Sequence, residues 1–187
     1  MIVNLHGLNS TGDNTAYKFL KTLPEIKVIS PTYSVHNFAQ GIKDLEKTCH
    51  FNEYEPLLFI GTSTGALYAE NLADKYHGSA VLINPVVSPK QLEQFKGLNK
   101  NHKTGVEYEL TQEDIDTFPV NPLRHHARKI FIEEHDDILD HSLTIEKYID
   151  WCDITKFEGS NHRFSHWEEI LPDIEKFYYT VTGQVAE

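Results

Sequence analysis

Six short, mainly apolar segments recur along the chain, and helical patterns separate most of them. The segments are 1–5, 26–29, 57–60, 80–83, 129–132 and 154–157. Short apolar strands of this kind suit a parallel sheet that helices cover on both faces. The alternation therefore predicts an α/β fold with a mainly parallel sheet of about six strands, in which ligands bind at the carboxyl ends of the strands.

Several of the predicted helices carry start signals. Two of them, before the third strand, follow residues that can cap a helix N-terminus, at 13–14 and at Asn37. The last helix is predicted to open with a capping box formed by Ser165 and Glu168. Pro172 follows within that helix and is predicted to kink or divide it.

A Gly-x-Ser-x-Gly pentad, with Gly61, Ser63 and Gly65, joins the strand 57–60 to the helix-prone stretch 66–76. This is the pattern of a nucleophile elbow, a strained turn in which a Cβ at either glycine would collide with the backbone. A phosphate-binding loop would require a lysine or a longer glycine pattern, which this segment lacks. We predict that Ser63 is a nucleophile.

A nucleophilic serine needs a general base and a third group that orients the base. The predicted base is His162, which ends the loop after the last strand. The loop after strand 129–132 offers Asp136, Asp137 and Asp140 as the orienting acid, and Asp136 is preferred among them. The chain order serine, aspartate, histidine is that of α/β-hydrolases.

An acyl-transfer site also needs backbone N–H groups that stabilise the oxyanion of the tetrahedral intermediate. We assign one to Thr64, which follows the nucleophile, and the other to Leu8, with Asn9 as the alternative. Gly7 would let the loop after the first strand approach the nucleophile closely. His6 is expected to support this loop and to take no part in proton transfer.

Residues 88–128 interrupt the strand–helix alternation with a polar segment of about 40 residues. We expect a lid, a cap or a binding loop, and the alternative is an excursion that covers a sheet edge. A basic cluster, 124–129, is either a solvated face or an attractor for a phosphate-bearing substrate such as an acyl carrier. The 187 residues are expected to form a single domain.

Charge and cysteine content bear on partners and location. The chain has 17 Lys and Arg against 28 Asp and Glu, and its formal net charge of −11 would repel nucleic acid and anionic membranes. Cys49 and Cys152 lack CxxC spacing, and no segment has the pattern of a signal peptide or membrane span. We expect a cytoplasmic monomer or weak dimer.

The resemblance to a known family covers nearly the whole chain and rests on residues 3–10, 61–65, 83–85, 135–140 and 159–162. These segments resemble the small bacterial YqiA/YcfP-type esterases of the α/β-hydrolase superfamily. The resemblance implies a compact hydrolase that cleaves carboxylic esters or thioesters without a cofactor. It implies Ser63 as nucleophile, His162 as base and Asp136 as acid.

This chain departs from the family pattern beside the nucleophile. Thr62 and Thr64 stand where such proteins often carry serine and leucine, and Ala66 stands where they often carry a second glycine. The departures concern the shape of the acyl pocket, since the serine itself is kept.

Two other classes of function remain open from the sequence. The histidines and carboxylates at 135–141 could suit zinc or manganese, although no HExxH spacing supports a metal site. A hydrolase fold can also serve as a binding module without catalysis. Acyl transfer to an acceptor other than water would use the same residues as hydrolysis.

Overall fold

The computed structural model describes residues 1–51, 56–120, 126–159 and 161–184. Its strands are β1 Ile2–Leu5, β2 Val28–Ile29, β3 Leu58–Thr62, β4 Ser79–Ile83, β5 Gly97–Lys100, β6 Glu107–Leu110, β7 Arg128–Glu133 and β8 Asp153–Phe157. Six of them form one sheet in the order β2-β1-β3-β4-β7-β8, with every neighbouring pair parallel. The predicted strands and the parallel sheet are confirmed.

The helices are α1 Thr15–Leu20, α2 Phe38–Cys49, α3 Gly65–Lys75, α4 Gln112–Asp116, α5 Ser142–Tyr148 and α6 Trp167–Thr182, with a 3₁₀ helix at Pro89–Phe95. The cap positions at α1 and α2 are confirmed: the Asn14 side chain accepts from the Tyr17 N–H, and the Asn37 side chain from the Gln40 N–H. Each cap satisfies an N–H that has no partner within its own helix.

The hydrophobic core lies on both faces of the sheet. Successive strand residues point to opposite faces, so Leu82 joins one apolar cluster while Val81 and Ile83 join the other. Helix α3 packs on the first face with Leu67 and Leu72, and α1 and α6 pack on the second. Every residue of the central strand β4 is buried. The predicted cover of helices on both faces is confirmed.

The predicted start of the last helix was wrong. Helix α6 begins at Trp167, and its N-cap residue, His166, makes no side-chain cap bond. Ser165 lies one residue before the N-cap, and both its backbone N–H and its hydroxyl donate to the buried carboxylate of Glu133, the hydroxyl at 2.7 Å. Pro172 lies inside α6 without dividing it, because a buried apolar face that includes Ile170 and Ile174 holds the helix on the sheet.

The described part of the segment 88–128, which leaves out residues 121–125, packs on the loop that follows β1 and on the start of α2. It contains the 3₁₀ helix, the antiparallel hairpin β5–β6 and α4. The Asn101 side chain donates to the Ser10 carbonyl at 2.8 Å, and the Phe38 N–H donates to the Thr117 hydroxyl at 2.9 Å. The hairpin therefore lies beside the carboxyl end of β1.

The basic cluster does not form one surface. Arg128 is 8% exposed and its Nε donates to Glu70 at 2.7 Å, while the neighbouring Lys129 pairs with Asp173 at 3.2 Å. The two side chains separate because adjacent strand residues point to opposite faces. Arg128 is thus unavailable to a substrate phosphate, and residues 124–125 of the cluster lie outside the described part of the chain.

Cys49 and Cys152 are both free thiols. Burial raises the pKa of each thiol to about 11, so neither carries a reactive thiolate near neutral pH. Among the described residues, no helix has the length and apolar character that crossing a membrane would require.

Candidate active site

Ser63 lies on a strained turn between β3 and α3. Its φ angle is 55°, in the left-handed region that residues other than glycine rarely adopt. The Ser63 N–H donates to the Ile83 carbonyl at 3.0 Å, which ties the turn to the neighbouring strand. A Cβ at Gly61 would lie 2.4 Å from the Gly65 carbonyl oxygen, and a Cβ at Gly65 would lie 2.2 Å from the Leu5 carbonyl oxygen. Only glycine fits at both positions.

Ser63, His162 and Asp136 lie in one chain of hydrogen bonds. The Ser63 Oγ is 2.8 Å from His162 Nε2, and His162 Nδ1 is 2.7 Å from Asp136 Oδ2. The Asp136 side chain is fully buried, whereas 15% of the His162 side chain is exposed. A carboxylate oxygen only accepts, so His162 Nδ1 carries the proton of this bond and Nε2 of the neutral ring is free to accept from the serine.

The Asp136 carboxylate is held by donors on both oxygens. Its Oδ1 accepts from the N–H groups of Ile138 (2.8 Å) and Leu139 (2.9 Å), and its Oδ2 accepts from His162 and, at 3.0 Å, from His141 Nε2. Burial raises the pKa of this carboxyl, but the hydrogen bonds from His141, His162 and the backbone outweigh burial and hold the pKa well below its usual range. Asp136 is therefore an anion at any pH where the protein would work.

The other two candidate acids have different contacts. Asp137 Oδ1 accepts from the backbone N–H of His162, at 2.9 Å, and so fixes the main chain rather than the ring. Asp140 is exposed and accepts from the Ser142 N–H at the start of α5. Of the three acids, the structure brings only Asp136 to the imidazole.

Two buried residues, neither of which was predicted from the sequence, hold the loop that carries His162. Glu133, at the end of β7, is fully buried and accepts from the Ser165 N–H (2.5 Å) and, at 3.4 Å, from the Asn161 N–H. Asn84 is also fully buried; its side chain donates to the His162 carbonyl at 3.2 Å and accepts from the Glu133 N–H at 2.8 Å. In the sequence, Glu133 stands out only as a charged residue at the end of an apolar strand, which does not reveal its hydrogen bonds to the histidine loop.

The loop after β1 approaches the nucleophile at Gly7. A Cβ on Gly7 would lie 2.9 Å from Ser63 Cβ and 3.3 Å from Ser63 Oγ. Within the described ranges, the backbone N–H groups of Leu8 and Thr64 donate to no other protein group. Thr64 is fully buried and precedes α3, whose N-terminus carries partial positive charge. Both N–H groups are thus free to donate to an anionic atom of a ligand.

His6 fixes the start of this loop. His6 is 2% exposed, and its ring packs against the tilted ring of Tyr33 with 4.5 Å between the ring centroids; the Tyr33 hydroxyl donates to the His6 carbonyl at 2.8 Å. Burial lowers the pKa of His6 to about 4, against a smaller opposing effect of the hydrogen bond to Gly7. The neutral ring therefore donates from Nδ1 to the Gly7 carbonyl (2.9 Å) and accepts at Nε2 from the Tyr33 N–H (3.4 Å).

Asn9 connects the loop to the β5–β6 hairpin. Its backbone is left-handed, with φ at 59°. Its side chain accepts from the Tyr108 hydroxyl at 2.8 Å, and its carbonyl accepts from the His102 N–H at 3.1 Å. The Asn9 side chain is therefore engaged with the hairpin.

The cluster at 135–141 does not assemble as a metal site. His141 and Asp136 are hydrogen-bonded to each other, whereas His135 and Asp137 are exposed. In the part of the chain that the structure describes, no group of three or more His, Cys, Asp or Glu side chains is placed to hold a metal ion.

Comparison with known proteins agrees with the fold. The sequence model of an uncharacterised protein family, UPF0227, matches residues 1–179. A UPF0227 protein of Serratia proteamaculans is 26% identical over 187 residues, covering 95% of this chain and 98% of that protein.

Solved structures share the architecture at low sequence identity. Est1E from Butyrivibrio proteoclasticus superposes with a TM-score of 0.74 at 12% identity, covering 98% of this chain and 88% of Est1E. The mouse alpha/beta hydrolase domain-containing protein 10 gives a TM-score of 0.68 at 14% identity, covering 96% of this chain and 89% of the mouse chain. The fold is that of the α/β-hydrolases, as the resemblance to YqiA/YcfP-type proteins implied, and the chain belongs to the UPF0227 family.

Proposed function

We propose that this protein is a serine hydrolase that cleaves small carboxylic esters or thioesters through an acyl-enzyme. One observation carries the proposal: a left-handed serine at the end of a central strand lies 2.8 Å from His162 Nε2, and the other ring nitrogen lies 2.7 Å from a buried carboxylate. A serine hydroxyl with this pair of partners has the base and the orienting acid that acyl transfer needs.

The first step forms the acyl-enzyme. His162 Nε2 takes the Ser63 proton as Oγ attacks the acyl carbonyl carbon, and the carbonyl oxygen becomes an oxyanion. The imidazolium that results is stabilised by Asp136, which remains an anion throughout. His162 then gives the proton to the leaving alcohol or thiol as the bond from the acyl carbon to the leaving oxygen or sulfur breaks.

Hydrolysis of the acyl-enzyme repeats these steps with water. His162 takes a proton from water, the hydroxide oxygen attacks the acyl carbon, and the proton returns to Ser63 Oγ as the carboxylic acid departs. No cofactor enters either step. An acyl acceptor other than water would follow the same course, so the acceptor is a separate question for experiment.

The oxyanion is proposed to bind to the N–H groups of Leu8 and Thr64. Neither group donates elsewhere within the described residues, and Gly7 brings the Leu8 loop against Ser63. Each preorganised donor of this kind stabilises the transition state by about 2.7–4 kcal/mol. Gly61, Gly65, His6 and Asn9 act by holding the two donor loops in place.

We propose that the described part of the segment 88–128 forms one wall of the acyl site and braces the Leu8 loop. Hydrogen bonds from Tyr108 and Asn101 tie it to that loop at 2.8 Å each, which favours a fixed cap over a freely opening lid. The net charge of −11 favours a neutral or cationic small molecule over nucleic acid or an anionic membrane as partner.

Hydrolysis of p-nitrophenyl esters and of acyl thioesters of increasing chain length tests the proposal. Ser63→Ala and His162→Ala should abolish turnover. Ser142→Ala and His77→Asn, which change an exposed serine and an exposed histidine, should leave it unchanged. A folded wild type that hydrolyses none of these substrates, or a Ser63→Ala variant as active as the wild type, would reject the proposal.

A further inference from the structure

A second histidine shares the carboxylate of the proposed triad. His141 Nε2 lies 3.0 Å from Asp136 Oδ2, the same oxygen that His162 Nδ1 contacts at 2.7 Å. The His141 side chain is 3% exposed and that of Asp136 is fully buried, so neither contact is replaced by water. Oδ2 therefore bridges two imidazole rings.

The two ring nitrogens of His141 contact different partners, which orients the ring. Its Nδ1 lies 3.3 Å from the hydroxyl of Thr144, a fully buried residue of α5. A hydroxyl can donate to Nδ1, which leaves the ring proton on Nε2 and directed at Asp136.

We propose that His141 is a positioning residue for the hydrolytic site: it holds Asp136 towards His162 and moderates the hydrogen bond that Asp136 accepts from that ring. The inference rests on the proposed serine hydrolase function. His141 reaches neither Ser63 nor the oxyanion amides in any hydrogen bond of the described residues, so it acts only through the carboxylate.

The direction in which His141 shifts the pH dependence of activity follows from the Asp136 oxygen, Oδ2, that both histidines contact. A second N–H on Oδ2 withdraws charge from the side that faces His162, which weakens the hold of Asp136 on the imidazolium. Without His141, the carboxylate would stabilise protonated His162 more strongly and would be free to turn. The loss of activity on the acid side would then occur at a higher pH, and kcat would fall.

Three other carboxylates lie near Asp136 and His162 and are present in every variant. Asp137 accepts from the His162 backbone, Asp140 interacts electrostatically with His141, and Glu133 lies beneath the histidine loop. Asp140 is exposed, so solvent screens its interaction with His141, and a moved pH profile reports on the removed contact with Asp136.

The test compares His141→Phe, which keeps a buried ring without a donor, with His141→Gln, whose amide N–H can reach Asp136. Thr144→Val removes the hydroxyl that contacts His141 Nδ1 and replaces it with a side chain of nearly the same volume. His77→Asn is the control for an exposed histidine. Three measurements apply to all variants: kcat and KM for an ester against pH, the thermal midpoint, and the NMR titration of the His162 ring.

We expect His141→Phe to move the acid limb of kcat upward by roughly one pH unit, about the size of one hydrogen bond to a charged group. Its kcat should fall about tenfold with little change in KM, and the His162 ring should titrate at the same higher pH. His141→Gln should restore the wild-type profile, and Thr144→Val should move it part of the way. If His141→Phe does not fold, Thr144→Val against wild type decides the sign.

A lower thermal midpoint with an unmoved pH profile would show a purely structural role and would overturn the inference. So would a glutamine variant that behaves like the phenylalanine variant. A wild type that is folded but inactive in the ester assay would reject the proposed function and the role of His141 together. If the wild type is active and His141→Phe has the same kcat and pH profile, the proposed role of His141 is rejected and the proposed function is not.

Discussion

Replacing Asp136 by asparagine should lower kcat by about 10⁴-fold while the protein still folds. The carboxylate accepts two backbone N–H groups on Oδ1 and two imidazole N–H groups on Oδ2. An amide has one accepting oxygen and one donating nitrogen, so the asparagine must turn its NH₂ towards one of these pairs.

Each orientation of the asparagine amide has a cost. With NH₂ towards the backbone, the N–H groups of Ile138 and Leu139 lose their acceptor, which costs about 1–3 kcal/mol for a buried donor and less for the exposed Ile138 N–H. With NH₂ towards His162, the ring must accept at Nδ1, and its proton moves to Nε2, which faces Ser63 Oγ at 2.8 Å. The second orientation keeps the backbone bonds and removes the base. A 10⁴-fold loss corresponds to about 5 kcal/mol of transition-state stabilisation.

The assay is steady-state hydrolysis of a p-nitrophenyl ester, with thermal unfolding as the control for folding. Asp150→Asn, at an exposed position, is the matched variant and should keep wild-type activity. Asp137→Asn should cost much less than Asp136→Asn, because the Asp137 carboxylate accepts from the His162 backbone N–H and makes no hydrogen bond to the ring. A folded Asp136→Asn variant within tenfold of wild type would refute the reasoning, as would an equal loss in Asp137→Asn.

Three further predictions concern the scaffold of the site. Gly65→Ala should destabilise the protein by about 3 kcal/mol in urea unfolding, since the new Cβ would lie 2.2 Å from the Leu5 carbonyl oxygen; unchanged stability would contradict the elbow geometry. Unfolded histidine takes up a proton below about pH 6.5 and folded His6 only below about 4, so stability should fall by about 3 kcal/mol as pH drops through this window. His6→Gln should remove most of that dependence, and a variant that keeps the full slope would assign it to other groups. Tyr108→Phe should lower kcat about 2- to 10-fold by releasing Asn9, and a variant at wild-type rate would show that the hairpin does not brace the loop.

Strand positions could be predicted because each strand is short, apolar and flanked by turn or helix signals. The carboxyl ends of β3, β7 and β8 meet at one edge of the parallel sheet, so chain order alone indicated that Ser63, Asp136 and His162 would lie close together. The hairpin β5–β6 could not be predicted in this way. Its strands are polar and half-exposed, and they gain their positions from contacts with a distant loop.

The hydrogen bonds of the buried polar residues could not be predicted from the sequence, for a different reason. Glu133, Asn84 and His141 act through hydrogen bonds to residues far along the chain or to one shared carboxylate. Nothing in local periodicity distinguishes such a residue from a solvated one, since burial of each polar group depends on partners that only the fold brings near. The same cause explains Ser165, whose helix-cap pattern was overridden by Glu133.

Covalent labelling is the decisive experiment on whether Ser63 is an activated nucleophile. The wild type would be incubated with a fluorophosphonate probe. Its intact mass would then be measured by mass spectrometry, and a digest would locate the adduct. We expect one phosphonyl group per chain on the peptide that contains Ser63, and no adduct in Ser63→Ala or His162→Ala. A folded wild type that stays unlabelled, or an adduct that persists in Ser63→Ala, would contradict this expectation.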